Sequence, residues 1–423
     1  MNPTELAEAA RRPALVPALL RERDFRRFWA GQTISLFGDQ VTLLALPLVA
    51  VLALHANAAQ MGYLGGAELI PNLLFSLHAG AWVDRRGRRR QMMLATDLGR
   101  AALLATIPIA YAFDVLTFAQ LYVVGFLVGT LSVLFFVSYN TLFVVLVPRE
   151  RYLEANSVLN GSRALSYVGG PSVGGLLVQA LSAPGALVVD AVSFVASALA
   201  LKSISPVEPP TETAERGHLK AGIRYILGSP IVRASLLATA TINFFNFVFW
   251  ALFILYATRT LGVGPGVLGL VLGAASVGGV IGSIVTGRIS RRIGVGPAFV
   301  LGCVLFPAPL VLVPLAGGGH WRILAFLFAA EALSGFGVMI LDITSGSIKA
   351  ALVPDRLRAR VTGAYMVVNY GVRPVGALLG GALGTWIGLR PTLWIATVGA
   401  IAGVLWLIGS PFLQLRDLPE ADA

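Results

Sequence analysis

The chain has 423 residues, of which 56% are hydrophobic and 13% charged, and its mean hydropathy is +0.78. That balance is too apolar and too poorly charged for a soluble domain of this size and predicts a polytopic membrane protein. A net charge of +11 could suggest a nucleic-acid partner, but the basic residues fall in short turns between apolar runs rather than on one face, so no nucleic acid is expected.

Residues 1 to 27 hold Arg11, Arg12, Arg21, Arg23, Arg26 and Arg27 without a short apolar core and a small-residue cleavage site. They read as a cytoplasmic N-terminal segment rather than a cleavable signal. A membrane-spanning helix needs about 20 mostly apolar residues, and twelve such runs follow. Residues 28–204 form a first group, with spans near 28–54, 61–83, 91–113, 118–147, 155–181 and 184–204. Residues 205–230 begin polar and Pro-rich (Ser205-Pro206-Val207-Glu208-Pro209-Pro210). They continue with Arg216, Lys220 and Arg224 interleaved with Leu219, Ile223 and Ile226. That pattern predicts a linker with an amphipathic helix on the cytoplasmic face, or alternatively a regulatory or partner-binding helix. Residues 231–413 hold the second group, near 231–257, 265–289, 296–316, 321–350, 359–386 and 390–413, and residues 414–423 form a cytoplasmic tail. Apart from Arg259, Arg322 and Arg390 in outward turns and Arg163 and Arg373 within spans, every Lys and Arg lies in or beside an inward segment. Both termini are therefore expected in the cytoplasm. Cys303 is the single cysteine and lies in an apolar run, which leaves no disulfide framework or metal cluster to expect.

The densest turn is Gly80-Ala81-Trp82-Val83-Asp84-Arg85-Arg86-Gly87-Arg88-Arg89-Arg90. A small residue at Gly80 permits close helix approach and Gly87 a tight reversal. Its pattern, Gly-x-x-x-Asp-Arg-x-Gly-Arg-Arg, resembles the loop between helices 2 and 3 of the major facilitator superfamily. Gly80, Asp84, Arg85, Gly87 and Arg88 match position by position. The resemblance implies an all-α fold of two pseudo-symmetric six-helix bundles with substrate held between them. The turn would act as a cytoplasmic latch joined by Asp97 and Arg100 of span 3. Two internal repeats agree. Leu146-Val147-Pro148-Arg149 recurs as Leu352-Val353-Pro354-Asp355, and Arg288-Ile289-Ser290-Arg291-Arg292-Ile293-Gly294 is a weakened copy of the turn. In span 5, Gly170-Pro171-Ser172-Val173-Gly174-Gly175 resembles the Gly-Pro-x-x-Gly-Gly element of the exporting antiporters. Span 1, through Ser35-Leu36-Phe37-Gly38-Asp39-Gln40 and Leu46-Pro47-Leu48, resembles the branch of macrolide and siderophore exporters. A bacterial-type inner membrane follows from that likeness.

Small residues at every fourth position mark spans 5 (Ser166, Gly170, Gly174), 8 (Gly278, Gly282) and 11 (Gly376, Gly380, Gly384, Gly388). Such stripes permit close packing, and by the resemblance spans 2, 5, 8 and 11 flank the interface between halves. Ionisable groups within a span are costly and mark function. Asp39 lies roughly 16 Å along its helix, near mid-bilayer, and is the leading proton site. Glu68, Glu331 and Asp342 are further candidates. Each is alternatively a structural acid paired to a fixed cation, Arg373 or Arg163, with Glu331 and Arg373 at similar depth. Asp190 reads as a residue that caps or orients span 6. Aromatic and amide residues cluster in span 4 (Phe136, Tyr139, Asn140) and span 7 (Asn243, Phe244, Asn246, Phe247, Trp250). By the resemblance, spans 1, 4, 7 and 10 line the cavity. An apolar wall with a few amides suits bulky amphipathic molecules.

No Walker-type Gly-x-x-x-x-Gly-Lys-Ser/Thr occurs and the four histidines are scattered, which disfavours ATP-driven transport, enzymatic chemistry and metal or cofactor binding. The span 4 arginine of many proton antiporters is also missing. The expectation is a monomeric secondary transporter that exports hydrophobic or amphipathic small molecules against protons, by alternating access within the lipid bilayer. A metabolite facilitator or importer, or a non-transporting sensor of the same fold, are the alternatives.

Overall fold

The computed structural model describes residues 18–206 and 219–416. Twelve long helical segments follow one another in two sets of six. The first set is span 1 (Arg23–Leu48), span 2 (Ala58–Arg86), span 3 (Arg89–Ala112), span 4 (Phe118–Leu146), span 5 (Tyr152–Leu181) and span 6 (Ala183–Lys202). The linker helix (Leu219–Gly228) comes next. The second set is span 7 (Pro230–Arg259), span 8 (Pro265–Ile293), span 9 (beginning Val295–Leu305), span 10 (His320–Leu352), span 11 (Asp355–Trp386) and span 12 (beginning Leu389–Ala402).

Composition alone qualifies ten of the helices as membrane-crossing. The two that fall short are spans 2 and 11, and they pack against each other across the middle of the molecule. A helix sheltered by protein tolerates glycines, amides and charges that a lipid-facing helix does not.

Local chemistry sets the ends. Span 1 begins five residues earlier than 28, because the Arg23, Arg26 and Arg27 region is already helical. It passes Pro47 and finishes in a π turn, Val49–Ala53. Asn57 opens span 2 with a reciprocal capping box, its side chain and that of Gln60 each receiving the other's backbone N–H at 2.9 Å. Gly87 closes span 2 at φ +61°, a conformation that favours glycine, and span 3 starts two residues later. Span 9 breaks at Pro307 and Pro309 and resumes as two short turns, Ala308–Val311 and Leu312–Leu315. Span 12 ends at Leu407 rather than 413. Gly409, at φ +79°, then turns the chain so that Phe412 stacks on Phe299 of span 9, ring centres 4.7 Å apart. Arg416 and Leu415 accept from the backbone N–H groups of Val295 and Gly296, so the start of the expected tail is docked. The linker helix is docked as well: Tyr225 donates to the Leu352 carbonyl at 2.5 Å, and Ile226 is buried with Val361 and Ala364 of span 11.

Neighbour relations repeat between halves. Span 1 packs on spans 5 and 6, and span 7 on spans 11 and 12; span 4 packs on spans 2 and 3, and span 10 on spans 8 and 9. The halves meet mainly through two pairs, span 2 with span 11 and span 5 with span 8.

Most of the regular glycine stripes is not the interface, Gly384 beside Ala58 of span 2 being the exception. A Cβ on Gly278 or Gly282 would meet the Ala332 or Phe336 carbonyl of span 10, and one on Gly376 or Gly380 the Phe244 or Val248 carbonyl of span 7. Gly170 and Gly174 press on Gln40 and Val41 of span 1. All of these are seams inside one half. The contact between halves uses glycines one position off the stripe. A Cβ on Gly381 would sit 2.8 Å from the Gly62 Cα, and one on Gly175 2.8 Å from the Gly269 Cα. Both contacts lie at the end of the molecule away from the linker helix. At the linker end a Cβ on Gly80, Gly161 or Gly346 would meet nothing within 4 Å, so the close approach expected at Gly80 is not made here. The molecule is sealed at the far end and parted at the linker end.

This distinction separates two kinds of glycine substitution. Gly381→Val or Gly175→Val should leave thermal stability nearly unchanged and raise maleimide labelling of a cysteine placed at the far end. Gly278→Val and Gly376→Val should lower the melting temperature, since overpacking costs about 1–3 kcal/mol. Equal behaviour of the two sets in melting and labelling would contradict the assignment.

Candidate functional site

Two polar regions interrupt the apolar interior. The first lies in the first half, where spans 1, 3 and 6 meet. Arg100 of span 3 is 2% exposed and its guanidinium is held between the rings of Phe135, at 4.4 Å, and Phe194, at 4.0 Å. It donates to Asp97 Oδ1 one helical turn before it and lies 3.7 Å from Asp39 Oδ1 of span 1. Asp190 of span 6 is fully buried. It accepts from Thr42 of span 1 and, at 2.8 Å, from Ser193. Gly38 makes the approach possible, since a Cβ there would fall 2.1 Å from Asp190 Oδ1. Asp97 Oδ2 and Arg100 Nε are buried without a hydrogen-bond partner.

Sequence reasoning found Asp39 and misjudged its neighbours. Asp97 and Arg100, expected beside the latch, turn inward toward Asp39. Asp190 ties span 6 to span 1 instead of serving its own helix end. Side chains of the turn itself point elsewhere: Arg86 covers the Trp82 ring and Arg90 donates to the Ile204 carbonyl. The side chain of Asp84 lies outside the described residues; Arg85 and Arg88 are exposed.

The second region is a cavity of about 690 Å³ between the halves, beneath the far-end seal. Spans 1, 2, 5, 7, 8, 10 and 11 contribute to its wall. Of the expected cavity residues, Asn246, Phe247 and Trp250 of span 7 line it. Phe136, Tyr139 and Asn140 do not, and span 4 supplies no wall residue. Tyr139 is turned into the bundle, stacked on Phe28 at 5.5 Å, while the Asn140 amide is used on the Phe136 carbonyl. Phe244 packs edge-on to Phe245, and Asn243 is occupied by Asn369 at 3.1 Å. Glu68 and Glu331 both line the cavity, with Gln40, Tyr167 and Ser276. Pro171 of the Gly-Pro-x-x-Gly-Gly element is also in the wall, so that element packs on span 1, seals against span 8 and faces the cavity at once.

The expected pairing of Glu331 with Arg373 is not formed. Arg373 donates through Nε to Asn243 Oδ1 at 3.1 Å and lies over the rings of Tyr370 and Phe247. Glu331 is 2% exposed and its Oε1 has no partner. Residues of similar depth on neighbouring helices need not face one another, and depth is all that sequence supplies. Arg163 forms no ion pair among the described residues. Asp342 is exposed toward the linker end, outside the cavity wall. Gln40, Gly62, Gly269 and Gly381 were not singled out as site residues; they carry no pattern in one dimension beyond polarity or small size.

The two-bundle fold with a cavity at its pseudo-symmetric interface defines a membrane transporter, and the sequence agrees. The profile of the Major Facilitator Superfamily matches residues 28–370 and 235–422, and the chain belongs to this family. It is 28% identical over 411 residues to the multidrug efflux pump Tap of Mycolicibacterium fortuitum, covering 91% of this chain and 94% of that one. It is 24% identical over 363 residues to the staphyloferrin A transporter of Staphylococcus aureus, covering 83% and 87%. A bacterial homologue of the iron transporter ferroportin superposes in its inward-facing state with a TM-score of 0.76 at 17% identity, over 93% of this chain and 99% of that chain. Its outward-facing state superposes with a TM-score of 0.56 at 16% identity, over 92% and 99%. The chain is thus a multi-pass membrane transporter of this superfamily.

The Asp39 cluster makes a stability prediction. Arg100→Gln leaves buried carboxylates without their cation and should cost on the order of 3–5 kcal/mol. Adding Asp97→Asn should recover part of the lost melting temperature. No recovery in the double variant would mean that Asp97 and Arg100 do not act as a unit.

Proposed function

We propose that the chain is a secondary exporter of hydrophobic or amphipathic small molecules, driven by protons and working by alternating access. The observation that carries this reading is Asp39, whose side chain is 44% exposed yet 3.7 Å from the buried Arg100, and which directly precedes the cavity residue Gln40. Two carboxylates, Asp39 and Asp97, contact one guanidinium, and a third, Asp190, is bonded nearby to Thr42 and Ser193. A full set of negative charges in this interior is costly, so the cluster has capacity to hold protons. A proton on Asp39 removes its attraction to Arg100 and loosens span 1 from span 3. Span 1 packs on span 5, and span 5 forms one of the two seals. The proton does work to the extent that the two end states bind it with different affinity.

The excess of Lys and Arg at the linker end supports a cytoplasmic position for that end and for both termini, in a bacterial-type cell. The parted end then faces the cytoplasm, the state in which an exporter takes up cargo. Residues 28–204 and 231–413 act as the two rocking bundles, with 205–230 connecting them and 1–27 and 414–423 as cytoplasmic ends. Gly80, Asp84, Arg85, Gly87 and Arg88 act as the latch of the opposite state, with the open space beside Gly80 filled when the linker end closes. The Gly-Pro-x-x-Gly-Gly element of span 5 and the printed roles of the efflux and siderophore relatives support export over uptake. The unit is a monomer, a transporter rather than an enzyme, with no cofactor.

Efflux of a hydrophobic fluorescent dye from energised cells is the test. Cells carrying the wild-type chain should retain less dye than controls; an uncoupler should abolish the difference, and Asp39→Asn should reduce efflux at least tenfold at equal membrane abundance. Efflux that survives both the uncoupler and Asp39→Asn would refute proton drive through this residue.

A further inference from the structure

We propose that Glu68 and Glu331 form a split anionic site selecting amphipathic organic cations, specifically protonated amines that also carry a carbonyl-like or sulfonyl-like acceptor. The inference rests on the exporter reading and names its substrate class.

The charged side chains in the cavity wall are these two glutamates; neither Lys nor Arg contributes, among the described residues. The remainder is mostly apolar: Leu43, Leu44, Met61, Phe247, Trp250 and Ile254 are typical. In such surroundings charge is weakly screened. A cavity of about 690 Å³ is roughly 11 Å across, so one drug-sized molecule reaches both carboxylates.

Two buried polar atoms of the wall lack partners, and they are of opposite kind. Glu331 Oε1 is an orphaned acceptor and Asn246 Nδ2 an orphaned donor, on residues 2% and 7% exposed. An unpaired buried polar group is costly. A ligand that supplies an N–H donor to Glu331 and an oxygen acceptor to Asn246 satisfies both. A neutral ligand leaves the glutamates without a counter-charge, and a carboxylate meets two like charges.

The glutamates come from opposite halves, Glu68 on span 2 and Glu331 on span 10. The stem of Glu68 is positioned by span 4, where only the lack of a side chain at Gly125 leaves room, a Cβ there falling 3.2 Å from Glu68 Cγ. An ammonium between the acids therefore joins the two halves across the cavity. Arg373, whose guanidinium lies 5.0 Å from the Phe247 ring centre, is held by Asn243 and does not enter the wall. Asp39, the proton site, belongs to a separate cluster within the first half. Cargo charge and driving proton thus have different addresses.

The test is equilibrium binding of three dansyl probes to the purified full chain, read by energy transfer from tryptophan, with Trp250 in the wall as a donor. Dansylcadaverine presents an ammonium, its N-acetyl derivative is neutral, and dansylaminohexanoate presents a carboxylate; all three carry sulfonyl acceptors. Dansylcadaverine should bind about tenfold tighter than the neutral probe, the scale of one charge-assisted contact, and the carboxylate probe should bind least. Glu331→Gln and Glu68→Gln should each lower dansylcadaverine affinity about tenfold, to that of the neutral probe for the wild-type chain, with an unchanged melting temperature reporting that the variants are folded. Equal binding of the three probes, or a cation preference that survives both variants, would overturn the proposal. A chain that exports dye without charge preference refutes this inference alone. A chain that binds dansylcadaverine through Glu331 but exports nothing upholds the cation site and refutes the exporter reading.

Discussion

The arrangement depends on how the two halves touch. At the far end they meet backbone to backbone, Gly62 against Gly381 and Gly175 against Gly269. A contact of this kind gains dispersion attraction over many atom pairs, with side chains such as Leu378 on Gly66 and Gln179 on Gly266 set beside the backbone contacts. The cavity and the parted linker end are both consequences of this seal being closed.

A second constraint is the cost of charge in an apolar interior. The first half spends its buried acids on one cluster, where a guanidinium held by two aromatic rings gathers Asp97 and Asp39 while Asp190 is satisfied by hydroxyls. The second half has a polar ladder instead. Tyr365 is bonded to Ser235 and Thr239, and Asn243 joins Asn369 to Arg373. These bonds satisfy the groups within their own half. What remains without a partner in the cavity wall is Glu331 and Asn246. Among the described residues, buried side-chain atoms without partners thus occur both in the cavity wall and, as Asp97 Oδ2 and Arg100 Nε, in the first-half cluster.

The pseudo-symmetry is structural more than chemical. Equivalent helix pairs recur in both halves, but among the described residues of the second half no guanidinium is ion-paired to buried acids as Arg100 is. The basic turn after span 2 is likewise reduced to Arg288-Ile289-Ser290-Arg291 after span 8. Gene-scale repetition sets the architecture, and the charges then differ so that the two bundles do unlike work.

Much of this was legible in one dimension. Hydropathy runs placed the twelve spans, because backbone hydrogen bonding in lipid leaves few alternatives to a helix. The basic turn and the Gly-Pro-x-x-Gly-Gly element carried the family likeness, and Asp39 stood out because carboxylates in a span are rare. Three-dimensional partners were not legible. A stripe such as Gly376, Gly380 and Gly384 announces close approach without saying to which neighbour: Gly376 and Gly380 press on span 7 of the same half, while Gly384 meets both span 7 and Ala58 of span 2 across the interface. Glu331 and Arg373 share a depth but not a facing direction. Phe136 and Tyr139 sit on a helix whose rotation keeps both out of the cavity wall. The sequence by itself determined the helices, their order and the identity of the costly charges, since those follow from local composition and the bilayer's demand for internal hydrogen bonds. Only the tertiary structure decided which glycines seal, which acid keeps a guanidinium and which is left facing the cavity. Those outcomes depend on the rotation and tilt of each helix against several others at once.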